Sequence, residues 1–354
     1  MKIFNVVRHF NYFQAMIILL QAGYLLAEPL PGVVILTTGG TIASKYSVER
    51  GAVIPQLTGS ELVKAVPQLA DIASIKVIEH VNLDSSHMTP EIWAGISLKV
   101  DKILQREDIK GVVVTHGTDT IAEGAYFLEL TLKSNKPVVF VGAMRGALVP
   151  SADGPSNILD AVRQVCSSEA KGWPVTVTMN HHIHAANRVV KVHTHNVQAF
   201  NSGKKGCLGY ISMGKVERYN NRSSEFKLPV PKVLPRVELL KTFAGDDGSL
   251  LRSAVDSGAK GIVIEGVGAG NVNPSVADAI DYAMQKQVIV VLCTAVHSGG
   301  VIPVYGEAGG GAILARKGVI MGGDLPGEKA RILLMLAIPE TRGNVNEIQK
   351  YFLI

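Results

Sequence analysis

At 354 residues, with 47% apolar and 18% charged side chains, the chain is long enough for two domains with large buried cores, and a disordered majority is excluded. The formal charge of +5 comes from Lys and Arg scattered without a long run or an interleaved aromatic stripe, which argues against nucleic acid as a partner. Cys166, Cys207 and Cys293 form an odd set without metal-like spacing, so they offer no disulfide framework and read as small core residues.

Residues 1–27 read as a signal peptide. Lys2 and Arg8 precede an apolar stretch from Ala15 to Ala27, and Glu28-Pro29 begins a polar segment, which places a cut after Ala27. The apolar stretch is too short to span a bilayer, so the mature chain is expected to have no membrane partner and to be periplasmic or secreted. A dispensable extension on a cytoplasmic protein is the alternative.

From Pro31 onward, short apolar runs alternate with helix-period stretches. VVILTT (33–38) is β-branched, continuous and followed by Gly-Gly, as a buried parallel strand requires. IKVIEHV (75–81), GVVVTHG (111–117), PVVFVGA (137–143) and PVTVTM (174–179) repeat it. Between them, Ile92, Ile96, Val100 and Ile103 share one helical face, as do Ile121, Ala125, Leu128 and Leu132. Thr89-Pro90-Glu91 reads as a helix start. After a polar stretch at 218–235, GIVIEGV (261–267), a helix through Val276, Ala279, Ile280 and Ala283, VIVVLCTAV (288–296) and a helix around Arg331–Ile338 make a second unit. The predicted fold is α/β: a larger N-terminal doubly wound, mostly parallel sheet domain (31–217), a linker (218–235), and a smaller C-terminal α/β domain (236–354).

In open parallel sheets, ligands bind outside the carboxyl ends of the strands. Two such ends carry Thr-rich turns, Thr38-Gly39-Gly40-Thr41 and Thr115-His116-Gly117-Thr118-Asp119-Thr120. Each sets a hydroxyl beside backbone N–H groups, which offers a nucleophile and an oxyanion site in one loop. A single Thr of this kind is more often a helix cap. Two at strand ends suggest a site.

The strings TTGGTIAS (37–44) and VTHGTDTIAEGAYFL (114–128) resemble the two signature motifs of the bacterial asparaginase/glutaminase family. LVKAVPQLADIA (62–73), VGAMRGALVPSADGPSN (141–157), GVGAGNV (266–272) and ARILLMLA (330–337) extend the resemblance in order through the chain. It implies hydrolysis of a small-molecule amide, L-asparagine to aspartate and ammonia, through an acyl-threonine intermediate and without metal or organic cofactor. Thr41 matches the Thr that becomes acylated. Thr118 matches the second active-site Thr, Asp119 the carboxylate that holds the substrate's α-amino group, and Lys191 the Lys partnered with both. Ser85 matches the residue on the substrate's α-carboxylate, with Ser86 at the neighbouring binding position. Asn271 matches an Asn that reaches the site of a neighbouring subunit, and a homotetramer with shared sites is implied.

Two positions depart from the family pattern. The stretch Gly51-Ala52-Val53-Ile54-Pro55 lacks the lid Tyr that activates the first Thr, and Tyr46 is the substitute in reach. Glu307 is the candidate for the acidic partner of that Tyr. A preference for glutamine or another small amide, and a catalytically silent amino-acid-binding protein, are the alternative readings. The second would not need two activated hydroxyls.

Other signals weigh less. His181, His182, His184, His193 and His195 imitate a metal site, but no carboxylate accompanies them at ligand spacing. Gly266, Gly268 and Gly270 imitate a dinucleotide fingerprint without its third-glycine spacing or its acidic residue. Gly309-Gly310-Gly311 reads as a mobile loop. Trp93 and Trp173 read as core or domain-edge packing.

Overall fold

The computed structural model describes residues 29–353 apart from 48, 50 and 223–225, and gives no side-chain placement for 46, 53 and 55. The expected signal peptide lies outside the described residues. The strands in chain order are β1 (Gly32–Gly39), β2 (Ser44–Ser47), β3 (Ala52–Pro55), β4 (Ser74–Leu83), β5 (Ile109–Thr115), β6 (Val138–Val141), β7 (Thr176–Met179), β8 (His182–Ala185), β9 (Val190–Lys191), β10 (Phe200–Asn201), β11 (Gly209–Ser212), β12 (Lys215–Arg218), β13 (Val237–Lys241), β14 (Gly261–Gly266), β15 (Ile289–Thr294) and β16 (Ile320–Met321).

The larger sheet has eight strands in the order β12-β11-β8-β7-β6-β5-β1-β4. The run β4-β1-β5-β6-β7 is parallel, and β8, β11 and β12 extend it antiparallel. The apolar runs are continuous because both faces are covered. Val33 and Ile35 pack with Ile158, Ala161 and Val165 of the helix Gly154–Cys166, whereas Val34 and Leu36 join the core of the helices Pro90–Leu104 and Ile121–Thr131. Thr89 caps the first of those two helices, with Pro90 at its first turn. β4 is an edge strand, which is why it alternates half-buried and exposed residues instead of being apolar throughout. The smaller sheet, β13-β14-β15-β16, is wholly parallel.

The two units share more than a linker. The helix Ile121–Thr131 is buried on every side, not only on the face carrying Ile121, Ala125 and Leu128. The helix Gly327–Glu340 of the second unit packs on it, and one apolar cluster runs from Val34 and Phe127 through Leu333 and Leu336 to Val263 and Val291. A helix buried on nearly every side belongs inside, and here it becomes the joint. Gly309-Gly310-Gly311 is also tightly packed where a mobile loop was expected. A Cβ on Gly309 would lie 2.2 Å from the Val272 carbonyl oxygen, and one on Gly310 2.4 Å from that of Tyr305. Among the described residues, no helix is long and apolar enough to cross a membrane.

Candidate active site

Parallel pairing sets Thr37 of β1 beside Thr115 of β5, so the two Thr turns leave the sheet as neighbours. The Thr38 hydroxyl donates to the Thr115 carbonyl at 2.8 Å, tying the two strand ends together. Gly39 and Gly40 have φ of 99° and 83°, which a residue with a side chain rarely adopts. The close approach is just as demanding. A Cβ on Gly40 would lie 2.3 Å from Gly117 Cα, and one on Gly117 would lie 2.5 Å from Ser85 Oγ. Three turns therefore interlock, from β1, β4 and β5. Gly40 N–H also donates to the Leu83 carbonyl at 2.9 Å, and the Ser44 hydroxyl to the Gly40 carbonyl at 2.8 Å.

Thr41 opens a short 3-10 helix, Thr41–Ala43, and is half-buried. Thr118 is buried, and Lys191 Nζ donates to its Oγ1 at 2.8 Å and to Asp119 Oδ1 at 2.6 Å. Asp119 keeps 61% of its side chain exposed against 21% for Lys191, so the carboxylate stands on the open side of the pair. Lys191 is delivered by β9, whose one described partner strand is β10, with Phe200 opposite Lys191. Asp119 and Lys191 line an open cleft with Val192, His193 and Thr194.

Ser85 is buried. Its hydroxyl accepts the Asp119 N–H at 3.3 Å and its carbonyl accepts from the Thr120 hydroxyl at 2.8 Å. The serine thus latches the Thr118 turn and still has its O–H to donate. Ser86 is exposed, and its N–H and hydroxyl both donate to Asp84 Oδ1, at 2.9 and 2.8 Å. Those bonds hold the Asp84 carboxyl below its ordinary range.

Four of the sequence candidates (Thr118, Asp119, Lys191 and Ser85) make one hydrogen-bonded group, with the Thr41 turn locked against it. The remaining candidates stand elsewhere. Asn271 and Glu307 lie in the second unit, where Asn271 Oδ1 accepts the Gly311 N–H at 3.1 Å and Gly310 N–H donates to the Glu307 carbonyl at 2.8 Å. Among the described residues of one chain, neither has a hydrogen bond or ion pair to the Thr turns. Tyr46 lies in the hairpin β2–β3 opposite Val53, and its side chain is outside the described part.

Residues that sequence reasoning passed over complete the scaffold. His116 is fully buried, and desolvation pulls its pKa down to about 4. A neutral ring fits both of its contacts: Nδ1–H donates to the Gly117 carbonyl at 2.8 Å and Nε2 accepts from Trp93 Nε1 at 3.3 Å. Trp93 is therefore a core residue that also fixes the ring behind the Thr118 turn. The other histidines are spread over several tasks: His181 pairs with Asp160 at 2.6 Å, His184 with the Ser202 hydroxyl at 2.7 Å, and His193 accepts two backbone N–H groups of its own turn. No cluster able to hold a metal is found among the described residues.

The first unit matches the family model "Asparaginase, N-terminal" over residues 32–224, and the second matches "Glutaminase/Asparaginase C-terminal domain" over 236–352. The chain belongs to the asparaginase family. L-asparaginase 2 of Bacillus subtilis is 36% identical to it, covering 92% of this chain and 87% of the relative. A probable periplasmic L-asparaginase of Haemophilus influenzae is 37% identical over 92% of this chain and 93% of its own. In three dimensions, the probable cytoplasmic L-asparaginase of Campylobacter jejuni superposes with a TM-score of 0.83, at 41% identity, over 91% of this chain and 99% of its own. Family membership accounts for the pairing of a larger, mostly parallel N-terminal domain with a smaller parallel one.

Proposed function

We propose that this chain is an L-asparaginase, hydrolysing the side-chain amide of asparagine to give aspartate and ammonia. The observation that carries the reading is the contact of one Lys with both Thr118 and Asp119, in a turn packed against that of Thr41. In this reading the Thr41 hydroxyl attacks the amide carbon, the developing oxyanion is held by backbone N–H groups of the Thr turns other than that of Gly40, and the hydroxyl proton leaves with the amine as ammonia. The resulting ester on Thr41 is then cleaved by water. Lys191 and Thr118 accept and return a proton. Asp119 has an exposed carboxylate for the substrate's ammonium, and Ser85 has a free O–H for its carboxylate.

Activation of Thr41 is assigned to Tyr46, with Glu307 and Asn271 arriving from a second subunit of a homotetramer. Tyr46 belongs to the hairpin β2–β3, which directly follows the Thr41 turn in the chain. We assign residues 31–217 to the catalytic domain, 218–235 to a linker and 236–354 to the domain that completes a neighbour's site. Export past a cut after Ala27 is favoured by the leader pattern; the Haemophilus relative is named as a probable periplasmic enzyme, and the Campylobacter relative, named as a probable cytoplasmic one, represents the alternative.

Ammonia release from L-asparagine and L-glutamine by the purified chain and by Thr41→Ala tests the reading. Turnover of asparagine by the first and not the second is expected, and no release from either amide by the wild type would sink it. Glutamine as the better substrate is the second reading, suggested by the changed lid at Gly51–Pro55, and the same assay separates the two.

A further inference from the structure

Lys329 is a lysine with no exposed surface, and lysines are almost never fully buried without a partner. It sits in the first turn of the helix Gly327–Glu340, on the second domain. Its ammonium crosses to the first domain, donating to the Ala186 carbonyl at 2.7 Å and to the Val189 carbonyl. Both of those residues are completely buried, and they form the turn between β8 and β9, two residues before Lys191. The N–H groups of the turn are already committed: Ala186 donates to Val175, and Arg188 and Val189 donate to Ala185.

We propose that Lys329 is a positioning residue for Lys191: it fixes the carbonyls of the turn leading into β9 and thereby sets where the Lys191 amine meets Thr118 and Asp119. β9 is two residues long and pairs with a two-residue β10, so little sheet structure holds Lys191 in place. Beyond the Val192 N–H bond to the Ala199 carbonyl at 2.7 Å, the turn before it and its Lys329 anchor carry the positioning. Glu328, Glu129 and Glu123 favour the charged form of Lys329, Arg188 opposes it, and burial prevails, bringing its pKa down to about 7. The tie survives that titration, because a neutral amine still has two N–H groups for two carbonyls. The role is therefore geometric and is not a pH switch. A displacement of about 1 Å at a catalytic group costs on the order of a hundredfold in rate, which makes such an anchor consequential.

The inference rests on the reading that Lys191 serves amide hydrolysis. Its test compares Lys329→Met with Leu336→Ala, a cavity at a fully buried residue about two turns further along the same helix. Both are assayed with asparagine below their melting temperatures, with circular dichroism as the measure of fold. Lys329→Met is expected to lower kcat about ten- to a hundredfold with KM within about threefold of wild type. Leu336→Ala is expected to melt earlier and keep kcat within about threefold. Unchanged kcat in Lys329→Met, or loss of kcat in both variants in proportion to melting temperature, overturns the proposal. Should Lys329→Met not fold, Lys329→Gln is measured in its place: its amide ends one atom short of the lysine nitrogen and cannot reach both carbonyls, so a smaller fall in kcat at unchanged KM supports the role and an unchanged kcat overturns it. An inactive wild type would instead overturn the assignment of the reaction, so the two failures are distinguishable.

Discussion

The two Thr turns leave neighbouring strands and lock together, yet they are equipped differently. Thr118 is buried and wired within one chain, with Lys191 on its hydroxyl, Asp119 on the same Lys, Ser85 on the next backbone N–H, and His116 and Trp93 behind. Thr41 is half-buried on a three-residue 3-10 turn that leads into the hairpin β2–β3, which the larger sheet does not include. The difference divides the labour. The Thr118 side is preorganised by the fold, whereas in the proposed reading the reactivity of Thr41 depends on groups outside that network.

Removing each hydroxyl system tests that division. Thr41→Ala is expected to lose more than about a thousandfold in kcat, since no covalent intermediate can form. Lys191→Met comes next, at about a hundred- to a thousandfold, within the range for a lost proton-transfer partner. Its folded stability should fall by less than about 1 kcal/mol, because the Asp119 end of the ion pair is largely exposed. Mass spectrometry of quenched mixtures sharpens the contrast: Lys191→Met is expected to show acylated protein, Thr41→Ala none. Tyr46→Phe should cost about tenfold or more in kcat if the hairpin supplies the activator. A Tyr46→Phe enzyme with wild-type kcat would move that task elsewhere.

The same contrast governs which parts of the molecule are legible in the sequence. The buried parallel strands announce themselves because both faces need apolar residues, and the Thr turns stand out because glycine marks the sharp exits. The strands β8, β11 and β12 do not, being short, antiparallel and mixed in polarity, as in HIHA and KVER. Lys191 is reached in sequence only through the family resemblance. Lys329, on the flank of the apolar run ARILLMLA, is a residue that sequence reasoning passed over. Only the fold shows two buried carbonyls within its reach. Periodicity gives the helix Ile121–Thr131 one apolar face, and the joint formed by its other faces depends on a partner helix far along the chain. The interlock of Gly40 with Gly117 is equally invisible, since pairing across strands is not written in either motif.

The smaller effects concern the scaffold behind the turns. Gly40→Ala would place a methyl group 2.3 Å from Gly117 Cα at a φ of 83°, and both the strain and the clash oppose it. A loss of about 3 kcal/mol or more is expected, read as a lower denaturant midpoint. His116 gives a gentler, pH-dependent signature. Its folded pKa of about 4 lies below the unfolded value of 6.5, so between those limits the unfolded chain binds the extra proton. Stability is therefore present above about pH 6.5 and lost as pH falls towards 4, by up to about 3 kcal/mol for this residue. Glu123 works the other way. Burial raises its pKa to about 7, so acidification from 7 to 4.5 relieves a penalty and masks part of the histidine's loss in the wild type. The informative quantity is then the difference between wild type and His116→Asn, in which the Glu123 contribution cancels. That difference should shrink steadily from pH 6.5 to 4 in denaturant titrations. A difference independent of pH would mean that the ring behind the Thr118 turn does not stay neutral, and the tautomer assigned to it, with Trp93 as donor, would have to be abandoned.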